Sequence, residues 1–365
     1  MKESVITIDG RPFTKKKAGI GTFLSDVIIN LAKYASEYTI VVLLPHDLHP
    51  SFGDLKTIKG VKIRKMPFIT ERVPNIVWFH CFIWYLMKRF DSHILVTPHC
   101  QYPFFLSNND SCIITIHDFV YKDFPNTMEW WNRISAELSF EHALRKAKKI
   151  WCNSDYTYKT LIKYFPYTRN TQHFIGLSVS DKYKKRLITS DEAAQLKKAL
   201  GIEKDFYLFI GTIEPRKNLK FLLHIAPLLY QITGIQTLII GASKWKSRID
   251  VSHLGKSIVL VEHFIADDDL VKLYNLATCY ISTSFNEGFG MPQLEAMKCG
   301  CPVVSPNNSA MTEVVNGYGT LVDGWDESDW IKAVIEESSK KHVPYYSERY
   351  DWKNLIERLV IFFKQ

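Results

Sequence analysis

The chain has 365 residues, 46% hydrophobic and 23% charged, a length above what one core usually supports and the composition of an ordinary soluble globular protein, so two domains are expected. Its net charge of +8 is one-sided: residues 1–180 carry 23 Lys and Arg against 15 Asp and Glu, and residues 181–365 carry 23 against 23. A basic half attracts an anionic partner through its long-range field, and an anionic membrane or a lipid diphosphate is favoured over nucleic acid, whose readers interleave aromatics with basic residues. The seven cysteines form no C-x-x-C pair and mostly sit inside apolar runs, which argues against a disulfide frame or a zinc site and for buried thiols in a reducing cytoplasm.

The N-terminus shows no signal peptide and runs straight into an apolar stretch, Ser4–Ile8, that reads as a buried parallel strand ending at Asp9-Gly10-Arg11. After a loop with Lys15, Lys16 and Lys17 comes Ala18-Gly19-Ile20-Gly21-Thr22, opening a helix whose apolar positions Phe23, Val27, Ile28 and Leu31 recur every three to four residues. Strand, glycine-rich turn and helix together make a phosphate-approach geometry, although G-I-G is short of a dinucleotide fingerprint. Further strands are expected over 39–44 and 61–66. Residues 73–90 are apolar almost all round and end in Lys88-Arg89. They are too short and too interrupted to span a bilayer, which needs about 20 apolar residues; they read as a buried helix or as a face resting on a membrane. Strands at 95–98 and 112–116 each end in a histidine, His99 and His117. Ligands of parallel α/β sheets bind beyond the carboxyl ends of the strands, so both histidines point to a site. A long helix over 128–149, a strand over 150–153, a helix from the cap-like Ser154-Asp155 to about 164 and a strand over 172–176 complete the first half.

The alternation then restarts. A strand at 206–210 leads into Gly211-Thr212-Ile213-Glu214-Pro215-Arg216-Lys217-Asn218 and a helix over about 219–231. Strands recur at 237–240, 257–261, 278–282, 302–305 and 320–322, giving a second doubly wound unit. Asp267-Asp268-Asp269 precedes an amphipathic helix, where N-cap and dipole duty account for it better than a metal does. The terminal helix over 352–363 is amphipathic.

The most informative stretch is 284–305, S-F-N-E-G-F-G-M-P-Q-L-E-A-M-K-C-G-C-P-V-V-S. Pro292 suits the first turn of a helix and Gly300 its end, so a helix is expected over about 291–299. Glu287 then lies in the loop before the helix and Glu295 one turn inside it. The backbone N–H groups of Gly288, Phe289, Gly290 and Met291 lie at the helix N-terminus, where partial positive charge favours a phosphate. Carboxylates flanking such a nest accept hydrogen bonds from hydroxyls.

This stretch resembles the E-x7-E signature of retaining glycosyltransferases of family 4. The resemblance covers essentially the whole chain, most strongly 206–323. It implies the GT-B fold, an α/β architecture of two Rossmann-like doubly wound domains facing across a cleft. Residues 1–180, with a C-terminal helix 350–365 crossing back, would bind the acceptor, and 181–349 would bind the nucleotide-sugar donor. By position in the family pattern Glu287 holds hydroxyls of the donor sugar and Glu295 the ribose. The phrase G-T-I-E-P-R-K-N-L resembles the diphosphate loop, with Lys217 in the lysine position; many relatives carry arginine where this chain has Thr212, and Arg216 would substitute. Gly19 and Gly21 correspond to the first loop, which closes over the donor phosphate. I-T-I-H-D-F-V-Y resembles the segment whose histidine lines the acceptor side, which places His117 there, with Asp118 as its supporting neighbour and His99 alongside.

The implied reaction moves a sugar, with a leaning to mannose, from a nucleotide diphosphate sugar to a hydroxyl of a glycan or lipid-linked glycan in surface polysaccharide (O-antigen or capsule) biosynthesis. The anomeric configuration would be retained, with His117, Lys217 and Glu287 as the catalytic group. No metal and no cofactor beyond the donor are expected, since Arg216 and Lys217 supply the charge. The protein would be cytoplasmic, at the inner face of the membrane. A GT-B nucleotide-sugar epimerase and a non-catalytic nucleotide-sugar-binding scaffold are the alternatives.

Overall fold

The computed structural model of the chain describes all residues except 1–3, 18, 66–72, 108–109, 125–129 and 242–250. The chain divides into two compact units, residues 1–178 with 348–365 and residues 179–347.

In the first unit the strands β1 (Ser4–Asp9), β2 (Tyr38–Leu44), β3 (Val61–Lys65), β4 (Ile94–Thr97), β5 (Ser111–Ile116), β6 (Lys149–Cys152) and β7 (Gln172–Ile175) form a parallel sheet in the order β3-β2-β1-β4-β5-β6-β7. The helices α1 (Gly19–Tyr34), α2 (Asn75–Arg89), α3 (Val120–Asp123), α4 (Trp130–Lys146) and α5 (Asp155–Tyr164) connect them. All seven positions of β2, Y-T-I-V-V-L-L, are buried, as expected of a strand covered on both faces. The core gathers Trp78, Phe79 and Ile83 of α2 against Leu95, Ile114, Ile116 and Ile150 of the sheet.

The second unit begins with α6 (Ser190–Leu200), which starts in a reciprocal capping box between Thr189 and Glu192. Then follow β8 (Phe206–Ile210), α7 (Leu219–Thr233), β9 (Gln236–Ile240), β10 (Ile258–Val261), α8 (Asp267–Leu276), β11 (Cys279–Ile281), α9 (Met291–Lys298), β12 (Val303–Pro306), α10 (Met311–Val315), β13 (Thr320–Val322) and α11 (Glu327–Ser338). Its parallel sheet runs β10-β9-β8-β11-β12-β13. The chain ends in α12 (Trp352–Lys364), which buries Trp352, Leu355, Leu359 and Phe362. Within the first unit, Lys149 Nζ donates to Phe363 O at 3.0 Å and Arg358 to Ile175 O at 2.7 Å.

In each sheet the strand order reverses at one place, between β1 and β4 in the first and between β8 and β11 in the second. Two loops that leave such a pair go to opposite faces and open a crevice between them. Both candidate sites below are built on these points.

Several expectations from sequence change. The stretch around Gly19 and Gly21 is not a loop: α1 already starts at Gly19. Gly21 is buried, and a Cβ there would lie 2.8 Å from the Phe52 ring, so its small size serves packing. The helix expected over 128–149 stops at Lys146, because Lys149 pairs with Ile113 and Gln172 as part of β6; residues 128 and 129 lie outside the described residues, as does Met66. Asp267 is not an N-cap. That position is Ala266, without a side-chain cap, and the three aspartates occupy the first turn of α8. There they pair with cations: Lys182 with Asp267, Arg186 with Asp268, and Lys272 with Asp268 and Asp269. Helix α2 is buried on one side through Trp78, Phe79 and Ile83, while Ile76, Val77 and Tyr85 are exposed. Among the described residues no helix is long and apolar enough to cross a membrane.

Candidate active site

In the second unit the chain leaves β8 at Gly211, whose N–H donates to Ile240 O at 3.0 Å. The neighbouring strand end must be glycine too, since a Cβ on Gly241 would fall 2.0 Å from Gly211 O. The loop continues through Thr212, half-buried, to a single 3-10 turn, Pro215–Lys217, and Asn218 in the left-handed region at φ 48°. That turn aims both basic side chains inward. The aliphatic stem of Lys217 crosses Gly211, with Cε 3.4 Å from where a Cβ would be.

Across the strand reversal the loop after β11 supplies their partner. Glu287 accepts hydrogen bonds from Lys217 Nζ and, at 2.7 Å, from Ser284 Oγ on Oε1, and from Arg216 Nη1 at 2.9 Å on Oε2. Arg216 also donates to Asn286 O at 2.6 Å and to Glu214 Oε1 at 2.5 Å. The loop itself is pinned by Phe285 N to Arg216 O and by Thr283 Oγ1 to Lys217 O. Behind it, Glu287 N donates to Ser309 Oγ at 3.0 Å and Ala310 N to Glu287 O. Burial by itself would raise the Glu287 carboxyl, but the Lys217 and Arg216 charges and the hydrogen bonds from Lys217 and Ser284 outweigh it and hold its pKa at about 2. The cluster is thus a buried network of fixed charges with two cations on one carboxylate.

Helix α9 begins just beyond, as expected from Pro292. Gly290 takes a left-handed φ of 100° before it, and Gly300, at φ 74°, follows its end. Glu295 is buried and accepts from Tyr274 OH at 2.8 Å. Glu287 and Glu295 are therefore both internal, each held by a named donor, on either side of the α9 N-terminus that Gly288, Phe289, Gly290 and Met291 lead into.

In the first unit, β1 and β4 end at the strand reversal with Asp9 and Thr97. The Asp9 carboxylate is gripped by Arg11 through Nε at 2.9 Å and Nη2 at 2.7 Å, and accepts from Thr97 Oγ1 at 3.1 Å. His99 follows β4 and His117 follows β5. His117 Nε2 lies 2.9 Å from Pro98 O; a carbonyl can only accept, so Nε2 carries the proton and the neutral ring keeps its lone pair on Nδ1. Burial lowers the His117 pKa, partly opposed by Asp118 and the Pro98 bond. Burial and the nearby Arg11 charge, against the opposing pull of Asp9, bring His99 down to about 4. Asp118 supports His117 through its charge, while its carboxylate accepts from Val120 N at 3.2 Å and the Pro98 carbonyl orients the ring. Gly19 and Gly21 lie in the first turn of α1, and Ile20 between them lines the same pocket as His99 and His117.

Ser284, Ser309, Glu214, Tyr274 and the Asp9–Arg11 pair join these clusters without being marked as site residues by the sequence alone. Asp9 was findable by the same strand-end rule that picked out His99. Tyr274 gave no signal, because its contact with Glu295 spans two helices.

The chain matches the family model for glycosyl transferases group 1 over residues 167–350. It is 26% identical over 310 residues to a serotype-specific mannosyltransferase WbdA of Escherichia coli, covering 78% of this chain and 36% of that protein. It is 30% identical over 258 residues to O-antigen chain mannosyltransferase B of Escherichia coli, covering 69% of this chain and 66% of that protein. The chain thus spans about a third of the first relative's length. Among solved structures it resembles Anabaena Alr3699/HepE in complex with UDP and glucose, with a TM-score of 0.71 at 15% identity and full coverage of both chains, a likeness of fold. The chain belongs to the glycosyl transferases group 1 family and has its GT-B fold of two Rossmann-like parallel-sheet units.

Proposed function

We propose that the protein transfers a hexose, mannose in first place, from a nucleotide diphosphate sugar to a hydroxyl of a glycan or lipid-linked glycan acceptor in surface polysaccharide biosynthesis, with retention at the anomeric carbon. The observation that carries this reading is the cluster of Lys217, Arg216 and Glu287 at the strand reversal of the second sheet. Breaking the glycosidic bond gathers negative charge on the departing diphosphate, and fixed cations there stabilise the transition state more than the ground state. The diphosphate oxygens compete with Glu287 for the same N–H donors, and the carboxylate so released takes hydroxyls of the sugar. Glu295, fixed by Tyr274, is assigned the ribose; Thr212 and the backbone of Gly288, Phe289, Gly290 and Met291 line the phosphate path, with Gly19 and Gly21 as its counterpart in residues 1–180.

Residues 1–180, with 350–365, hold the acceptor, and 181–349 the donor. The neutral His117, with its lone pair on Nδ1, orients the acceptor hydroxyl, beside His99 and Asp118. The relatives named for mannosyl transfer support the choice of sugar. The one-sided positive charge supports work at an anionic membrane surface. The test is transfer from a panel of nucleotide sugars to mannose-terminated oligosaccharides, with product linkage read by NMR. Mannose should be transferred from GDP-mannose with an α-linked product. Lys217→Ala should be slower by about 10²–10³, the loss typical of one preorganised electrostatic donor. Wild-type turnover in Lys217→Ala and Glu287→Ala, or conversion of donor without acceptor, would overturn it.

A further inference from the structure

The first unit holds a pocket of about 720 Å³ that runs from His99 and His117 to α2, the segment after His99 and α4. Its outer wall is built around Phe104. One face of that ring is stacked on His80, with centroids 4.2 Å apart and planes at 21°, and His142 meets it edge-on at 5.4 Å. Phe104 is nonetheless 61% exposed, so the exposed surface is its other face. Two imidazoles therefore fix an aromatic ring flat at the wall of a pocket. Among the described residues, three buried polar atoms of the same wall have no hydrogen-bond partner: His80 Nδ1, His142 Nε2 and Gln101 Oε1.

An aromatic platform beside a few converging polar atoms matches a ligand that is apolar on its face and polar round its rim. A pyranose is such a ligand, since its axial C–H bonds make an apolar face and its hydroxyls a polar edge. These atoms are buried without a partner already, so an alkyl chain would fill the pocket and leave them unsatisfied, whereas a sugar's hydroxyls supply hydrogen bonds that an alkyl chain cannot. We propose that this pocket is a sugar subsite in which a hexopyranose of the acceptor stacks on the exposed face of Phe104, with His142 and Gln101 serving its hydroxyls and His80 backing the ring from behind. The inference rests on the glycosyltransferase reading above and adds the residues that select the acceptor. Phe104 is a specificity residue here; the groups that handle the reacting hydroxyl are His117 and His99, on the inner wall of the same pocket.

The experiment is saturation-transfer NMR of methyl α-mannopyranoside with the full chain, in parallel with dodecyl phosphate. The wild type should transfer saturation to the ring protons of the mannoside. Phe104→Ala should weaken binding by about tenfold, the loss expected of a stacking contact. Phe104→Trp should restore it, and His142→Leu, which keeps the bulk but not the ring nitrogen, should weaken it separately. The proposal is overturned if the mannoside receives no saturation from the wild type, if Phe104→Ala binds it as well as the wild type does, or if only dodecyl phosphate depends on Phe104. Stabilisation of the same variants by nucleotide sugars is read alongside. Its presence with no mannoside binding sinks the subsite alone, and its absence from the wild type sinks the transferase reading.

Discussion

Removing the charge of Glu287 while keeping its shape, as in Glu287→Gln, isolates the buried cluster. Its carboxyl sits at about 2 against an ordinary 4.5, and at 1.36 kcal/mol per pKa unit that difference is about 3 kcal/mol of native-state stabilisation. Breaking a buried ion pair by deleting one partner costs about 3–5 kcal/mol by a separate line of measurement, because it strands the other charge. The two agree at about 3 kcal/mol for Glu287→Gln. Arg216 keeps Glu214 and the Asn286 carbonyl, so the stranded charge is chiefly that of Lys217. Lys217→Met leaves Glu287 with Arg216 and Ser284, and about 1–2 kcal/mol is expected. In the double variant neither charge is stranded, and the coupling should be about 2 kcal/mol, within the range for residues in contact. Urea unfolding followed through Trp325 and Trp330, both in the second unit, measures all four corners of the cycle. Costs that add to within about 0.5 kcal/mol would refute the reasoning, since independent sites behave so. The pH dependence has a fixed sign. The folded carboxyl lies below its unfolded value, so its contribution is complete above about 4.5 and is lost as the pH falls toward about 2.

Other consequences are equally direct. His99 is held at about 4 against an ordinary 6.5; the unfolded chain protonates first, so stability present above about 6.5 declines toward pH 4, and His99→Gln should flatten that part of the pH–stability curve. Gly241→Ala drives a Cβ to 2.0 Å from Gly211 O, backbone that cannot yield cheaply, and should cost more than about 2 kcal/mol, whereas Gly19→Ala, with nothing within 4 Å, should be nearly neutral; chemical denaturation separates them. Tyr274→Phe removes the donor to a buried carboxylate and should cost about 1–3 kcal/mol, read in the same way.

Much of the fold was legible because parallel strands are covered on both faces and read as apolar runs between polar turns. Val5–Ile8 and the wholly buried β2 are such runs, and their carboxyl ends marked where ligands belong. Pro292 and Gly300 bounded α9 because each supplies a backbone conformation the helix needs at that end. What sequence could not carry was pairing across the chain. Lys217 and Glu287 are 70 positions apart, and only the strand reversal brings them together. Asp267–Asp269 looked like a cap because acidic residues favour helix starts generally, and their partners Lys182 and Arg186 lie on a remote segment. Phe104, His80 and His142 come from three elements, and an exposed phenylalanine in a loop has no periodicity to mark it. The packing demand on Gly21 was hidden for a related reason, since the ring that requires a small residue there, Phe52, is 31 positions away.

The central claim is that Lys217 and Glu287 form the site of a nucleotide diphosphate sugar. Thermal unfolding of the wild type and Lys217→Ala, each with a panel of nucleotide sugars and free nucleotides, tests it most directly. A ligand at about 100 times its dissociation constant adds roughly 2.7 kcal/mol, enough to raise the midpoint by several degrees. One donor should raise the wild-type midpoint, and the rise should shrink in Lys217→Ala. A panel in which no nucleotide moves the wild type, or one that moves both proteins equally, would contradict it.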